Sequence, residues 1–449
     1  MRSTVPKVLH RVGGRTLLEA VLDAASPLSA SRTVVVVGRD RARIEASLDG
    51  RAVLWAEQDP PLGTGDAVRR AREALGDGGG PIVVLAGDTP LLRTETLSRL
   101  LALQREKGLA AAFLTFRPPE PAEFGRVIRD RAGRPVGIVE ARNCSERQRR
   151  IAEVNAGVYC FAPEPLWRAL ERLEKNPVSG EFYLTDAIGL LAKSGARLAA
   201  VEAEDWHEAW GVNTRRDLAA AEGHENRRAV ERALDAGVTV IDPSTVRIGP
   251  RVSFANDVVI HPFVSLEGRT VLGEGCEVLS FTRVVDTTLA AGATIGPHCD
   301  SQGASIGPRS RVGPYSRLRP GTVLEEDVRV GNFVETKNST LRRGVKAQHL
   351  SYLGDADVGP RANVGAGVIT CNYDGEGKHR TTIGEGAFLG SDSQLVAPVT
   401  VGRGAYVAAG TTVTQDVPDG ALAISRVPQS NREGWAARRG AKAKKRDSG

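Results

Sequence analysis

From Ile248 onward an aliphatic or Phe side chain returns every six residues, often with a Gly beside it. The series Ile248, Phe254, Ile260, Leu266, Leu272, Val278, Val284 is unbroken; a second runs Ile306, Val312, Leu318, Leu324, Val330, and a third Ile383, Leu389, Leu395, Val401, Val407, Val413. An amphipathic helix repeats every 3.6 residues and a lone strand every two, so neither produces this spacing. A six-residue period predicts a parallel β-helix, in which each coil stacks its apolar residue on the previous one and no coil is stable alone. Between Pro314 and Asp374 the rhythm is interrupted, and polar residues concentrate at the break.

The whole chain has 449 residues, 41% hydrophobic and 25% charged, ordinary globular composition and enough for two or three domains. No stretch approaches the roughly 20 apolar residues of a membrane span, and MRSTVPKVLHRVGG lacks the apolar core of a signal peptide. A cytoplasmic protein with no membrane partner is expected. Cys144, Cys160, Cys276, Cys299 and Cys371 are scattered without CxxC spacing, which predicts reduced thiols rather than disulfides or zinc. The net charge of +6 is concentrated in Arg438–Arg446. Without interleaved aromatics or a nucleic-acid-binding motif, that run predicts a disordered solubilising tail at 436–449 and no nucleic-acid partner.

Residues 1–213 alternate strand-like and helix-like patterns, predicting a wound, Rossmann-like α/β sheet. Thr33–Val37 and Pro81–Leu85 read as buried parallel strands, Leu17–Ala25 and Thr94–Leu103 as helices. A linker helix is expected over 214–237, with Leu218, Ala221, Val230, Ala233 and Leu234 as its apolar stripe and Gly237 as its stop. The β-helix then occupies 238–435. Asp88 follows the second strand, at the carboxyl edge where open α/β sheets bind ligands. A carboxylate there suits Mg²⁺, or serves as a turn or helix cap. Gly63, Thr64 and Gly65, after Gln58, form a turn-rich loop able to bring backbone amides against a base or phosphate.

The order of motifs is more specific than any one of them. VPKVLH (5–10), QDPPLGTGDA (58–67), AGDTPL (86–91), FGRV (124–127), GIVEAR (137–142), EVNAGV (153–158), GEFYLTD (180–186) and WGVNTR (210–215) follow in sequence. YSRLRPG (315–321), GNFVETK (331–337), HLSYLGD (349–355), NVGAGVITCNYDG (363–375) and SRVP (425–428) come after them. The whole set resembles the bifunctional bacterial family of N-acetylglucosamine-1-phosphate uridylyltransferases / glucosamine-1-phosphate N-acetyltransferases, and the likeness runs to Trp435.

That resemblance implies a nucleotide-diphospho-sugar transferase domain followed by a left-handed β-helix. In front, Lys7 would contact the phosphates of UTP, Gln58, Gly63 and Thr64 would hold uracil, and Asp88 and Asn213 would ligate Mg²⁺. Gly125, Glu140 and Asn155 would line the site for N-acetylglucosamine 1-phosphate. Uridylyl transfer of this kind needs charge neutralisation and alignment more than a protein nucleophile. Family members begin with a strand and a Gly-rich loop of the form LAAGxGTRM, and this sequence starts at the equivalent of its last Met. The expectation is therefore a front domain without that strand and its phosphate-cradling amides, with unpaired strand edges and little uridylyl transfer.

In the β-helix the resemblance makes His349 the general base, since a protonated amine cannot attack a thioester and a neutral imidazole can take its proton. Glu335 would orient His349 or the amine. Arg319 and Lys337 would bind the phosphate of glucosamine 1-phosphate, with Tyr352 and Asn363 positioning the sugar. Ala366, Asn372, Tyr373, Ser391, Ala409 and Arg426 would hold acetyl-CoA, and a homotrimer with sites between β-helices is implied. Two other readings fit parts of the pattern: an acetyltransferase with a front domain kept as scaffold, and a sugar-nucleotide pyrophosphorylase whose β-helix only oligomerises.

Overall fold

The computed structural model describes residues 1–76, 79–121 and 123–439; residues 440–449 of the expected basic tail lie outside the described residues. The chain forms two compact units, Met1–Arg228 and Ala229–Gly449. No described helix is long and apolar enough to cross a membrane.

In the first unit every residue of the strand Ala111–Phe116 is buried. Alternation explains why both faces are covered: Ala111 and Phe113 pack with Leu166, Leu170, Leu184 and Ile188, while Ala112, Leu114 and Phe116 pack with Leu97 and Leu100. This strand pairs parallel with Leu198–Glu202 and antiparallel with Val154–Phe161. The hairpin Arg126–Arg129 and Pro135–Val139 extends the sheet antiparallel. Val34–Val37 pairs parallel with Leu54–Glu57 in a separate sheet. Ile82–Val84 is only half-buried, and its partner Val154–Phe161 runs antiparallel, not parallel as expected. An apolar run encodes burial, not pairing direction. Val34–Val37 and Ile82–Val84 each have a strand neighbour on one side only among the described residues. The expected helices are Leu17–Ala25, opened by a Thr16/Glu19 capping box, and Thr94–Glu106.

The connecting helix spans Arg215–Asp235. Ala221, Val230 and Ala233 are buried, but Leu234, although four residues after Val230 and so on the same side of the helix, is 45% exposed. Within the first unit, His224 on this helix packs against His207, the rings tilted by 38° with centroids 3.5 Å apart. Burial, then the His207 ring and Arg227, push the His224 imidazole down to about 4, against an opposing pull from Asp205. Arg228 also faces this group. An unfolded histidine binds its proton near 6.5, so between about pH 6.5 and 4 the unfolded chain holds more protons, and stability falls as pH drops. We expect His224→Gln to shrink the loss of melting temperature between pH 7 and pH 5; an equal loss in both proteins would contradict this.

In the second unit, strands of successive coils stack parallel in three columns. Most partners are eighteen residues apart, as Val259 with Glu277, or seventeen, as Glu277 with Thr294, and twenty-five where a loop is inserted, as Ile369 with Gln394. The first face includes Val259–Ile260 and Glu277–Val278, the second Ser265–Glu267 and Arg283–Val285, the third Ser253–Phe254 and Val271–Leu272. All residues of the three apolar series are buried except Phe254, which is partly buried against the same core. The apparent break after Pro314 is not a break in the coil. Thr336, Leu341, Ala347, Leu353, Val358, Val364 and Thr370 continue the inward positions. The pattern is hidden by a residue dropped in seventeen-residue coils and by two inward threonines. Both hydroxyls are satisfied: Thr336 by Thr322 at 3.0 Å and Thr370 by the Gly354 carbonyl at 3.0 Å.

Where the motifs concentrate, two short strands fuse across a corner into Arg329–Lys337 and Lys346–Gly354, paired in continuous register. Their approach requires a glycine: a Cβ on Gly331 would lie 2.0 Å from the Gln348 carbonyl oxygen.

Candidate active sites

In the first unit, residues far apart in sequence converge on one ammonium. The Lys7 side chain donates to the Asp88 carboxylate and, at 2.8 Å, to Asn213 Oδ1. Asp88 is held in place through its backbone, its carbonyl accepting from Val212 N at 2.8 Å. The loop expected to hold the base is stitched to a segment distant in sequence: Gly65 N donates to the Phe182 carbonyl and Phe182 N to that of Leu62, each at 2.8 Å. Gly63 has φ +98°, and a Cβ there would meet the Phe182 carbonyl oxygen at 2.6 Å, so this loop demands glycine. Gln58 Nε2 donates to the Gly63 carbonyl and to Asp66, both at 2.9 Å, and Thr64 Oγ1 accepts from Leu184 N at 3.0 Å.

The expected sugar residues form one cluster. Asn155 N donates to the Gly125 carbonyl at 2.8 Å, and Asn155 Nδ2 to the Tyr159 hydroxyl at 2.7 Å. Asn155 Oδ1 is buried without a partner, an open acceptor of the kind a ligand hydroxyl or amide satisfies. Burial pushes the Glu140 carboxyl up, and the Thr185 hydroxyl, donating to it at 2.8 Å, opposes that only in part. A Cβ on Gly125 would sit 3.6 Å from Glu140 Oε2, which ties all three to one locus.

On the β-helix the expected residues separate onto different surfaces. His349 lies beside Asn332 across the two long strands, exposed at the corner between the first and second faces. The same corner in following coils carries Ala366, Ser391 and Ala409, chained by bonds from Asp392 N to the Ala366 carbonyl at 2.7 Å and from Gly410 N to that of Ser391 at 2.8 Å. Arg426 reaches back to the Ala409 carbonyl at 2.8 Å. This column is one continuous edge.

The cations occupy the far end of the second face. Arg319 Nη1 donates to Glu335 at 2.9 Å, and Glu335 stands opposite Tyr352. Glu335 therefore orients Arg319, and no bond from it to His349 is present, which departs from the expectation that it would orient the base; its register places it at the cationic end. The Lys378 ammonium beside Lys337, and then Arg319, hold Lys337 below the ordinary lysine range, against an opposing pull from the Asp355 carboxylate, the mark of crowded cations. Lys378 escapes sequence reading because it sits in a Gly-rich loop with no hexapeptide register. Burial pushes Asp355 up, but Asn338, Asn372, Lys378 and Lys337 outweigh it and leave the carboxylate low. Asn372 thus belongs to the cation cluster, as does Tyr373, which bridges to Lys378 and donates to the Gly375 carbonyl at 2.6 Å. Asn363 stands apart on the first face, opposite Lys346 and Phe388.

The five cysteines are all free; burial pushes Cys160 up to about 12 and Cys299 to about 11, so these are inert thiols. Among the described residues no group of three or more His, Cys, Asp or Glu side chains is arranged to hold a metal.

Comparison with known proteins agrees with this division. Residues 1–236 match the family described as the MobA-like NTP transferase domain, and residues 380–415 match the bacterial transferase hexapeptide (six repeats). The bifunctional protein GlmU of Streptomyces coelicolor is 46% identical over 443 residues, covering 98% of this chain and 92% of that protein. That of Sorangium cellulosum is 47% identical over 445 residues, covering 98% and 93%, and that of Koribacter versatilis 40% over 450 residues, covering 99% and 96%. Likeness on this scale across both units gives no support to a lost front activity or to a β-helix that only oligomerises. The chain is a transferase, and it belongs to the family of the bifunctional GlmU proteins.

Proposed function

We propose that this chain makes UDP-N-acetylglucosamine in two steps, acetylating glucosamine 1-phosphate with acetyl-CoA on the β-helix and then uridylylating N-acetylglucosamine 1-phosphate with UTP in the first unit. The register that sets His349 at the head of an edge of small residues, with paired cations across the adjoining face, is the observation that carries it. The amine nitrogen attacks the thioester carbonyl while His349 takes its proton; the new N–C bond forms, the C–S bond breaks, and the thiolate leaves to collect a proton. Arg319, Lys337 and Lys378 hold the sugar phosphate, with Glu335 keeping the Arg319 fork in place.

In the first unit a sugar-phosphate oxygen attacks the α-phosphorus of UTP and pyrophosphate leaves. Glu140, Asn155 and Gly125 bind the sugar, Gln58, Gly63 and Thr64 the base, and Lys7 the phosphates. Asp88 and Asn213 offer two oxygens that already converge on one cationic atom, Lys7 Nζ, so the donor set fits a hard divalent cation. Mg²⁺ held there neutralises triphosphate charge.

We read the assembly as a homotrimer, which the hexapeptide repeats support. A convex edge does not enclose a coenzyme, and Asn363 on the first face is separated from Tyr352 on the second. A neighbouring copy supplies the missing wall, and sedimentation equilibrium should report three chains. Such an enzyme works in the cytoplasm, where its substrates are made.

Incubating the protein with acetyl-CoA, glucosamine 1-phosphate, UTP and Mg²⁺ while following free thiol and pyrophosphate tests both steps. Both products are expected. Thiol without pyrophosphate would remove the front activity from the proposal, and neither product would overturn it.

A further inference from the structure

The edge that carries His349 changes character at that residue. In the coils before it, the left-handed corner position holds Phe263, Phe281, His298, Tyr315 and Phe333, and beside His349 it holds Leu350. Successive rings stack nearly parallel at centroid distances of 4.9, 4.9, 4.8 and 5.4 Å, the coil spacing of a β-helix. Leu350 closes this ridge: Asn332 pairs with His349 and Val334 with Ser351, which sets Phe333 directly behind Leu350. It is 65% exposed. In the coils after it the same position holds Gly367, Asp392 and Gly410, and the apolar bulk is gone. Gly367 N donates to the Leu350 carbonyl at 2.8 Å, so the change occurs between adjacent coils.

We infer that Leu350, backed by Phe333, is the stop that limits the length of the acyl group transferred. The inference rests on the reading that His349 marks the thioester carbon. A pantetheine arm lying along Ala366, Ser391 and Ala409 brings its thioester to His349, and an acyl chain continuing in that direction runs against Leu350. Acetyl stops short of it; propionyl and butyryl do not. The transfer itself is the same for each: the amine nitrogen bonds to the acyl carbon, its proton passes to His349, and coenzyme A leaves as the thiol.

Two substitutions already occur at the same position in neighbouring coils, so the backbone accepts both. Leu350→Gly copies Gly367 and Leu350→Phe copies Phe333. The measurement is kcat/KM for glucosamine 1-phosphate acylation with acetyl-, propionyl- and butyryl-CoA, by thiol release. We expect the butyryl-to-acetyl ratio to rise about tenfold or more in Leu350→Gly, the scale at which one or two methylenes are discriminated in an apolar pocket, and to fall in Leu350→Phe. Ratios unmoved in both variants overturn the inference. A variant inactive toward all donors is read by competition of butyryl-CoA against acetyl-CoA for binding, where the same order must appear. Wild-type protein that transfers no acetyl group, or His349→Ala protein that transfers it normally, would instead defeat the underlying reading of the site.

Discussion

Replacing His349 with Ala should lower kcat for acetyl transfer by at least ~10²-fold, the usual contribution of a positioned general base. The histidine is exposed on a rigid corner, set by strand register against Asn332, and no other imidazole shares that edge below the aromatic ridge. Its loss leaves the cations of Arg319, Lys337 and Lys378 untouched, so KM for glucosamine 1-phosphate should change much less than kcat. The pH–rate profile is the sharper readout. Removal of a base abolishes the limb on which the wild-type rate rises with pH, whereas removal of a merely structural residue lowers the whole curve in parallel. Uridylyl transfer in the same preparation controls for folding. An acetyl-transfer rate within a few-fold of wild type would exclude His349 as the base.

How much of this was legible beforehand differs between the two units for physical reasons. A β-helix writes its inward residues directly into the sequence, so every member of the apolar series except Phe254 is fully buried. The same code failed where the coil shortened and Thr336 and Thr370 took inward positions, because a buried threonine with a satisfied hydroxyl resembles a surface residue in sequence. In the first unit Val34–Val37 and Ile82–Val84 were readable as strands, but antiparallel pairing of the second was not, since partner and direction are tertiary properties. Leu234 misled because a helical stripe is wider in sequence than the surface that covers it.

Site residues followed a similar rule. Motif order placed Lys7, Asp88 and Asn213 in one function, and the fold brings them to one atom. Motif order could not say that Asn363, Tyr352 and the His349 edge occupy different surfaces of a prism, nor that Glu335 belongs to Arg319. Lys378 was invisible for the opposite reason. Its role comes from the loop folding back on Lys337, which no local pattern records.

Asp88→Asn carries the second large effect, on the other activity. The substitution keeps the shape and one side-chain oxygen while removing the charge that faces the Lys7 ammonium. A carboxylate that serves only as a turn residue would lose little by it. One that helps neutralise a triphosphate through a divalent cation loses several kcal/mol of transition-state stabilisation, so uridylyl transfer should fall about 10²-fold or more. The half-saturating Mg²⁺ concentration should rise with it, because the remaining amide and Asn213 are both neutral donors. Acetyl transfer, carried by the other unit, should stay at its wild-type rate. If pyrophosphate release falls while its Mg²⁺ dependence stays fixed, Asp88 acts by holding Lys7 against the phosphates and not by holding the metal. Lys7→Ala then gives the matching loss, and Asn213→Ala, which removes the other Lys7 acceptor, a smaller one.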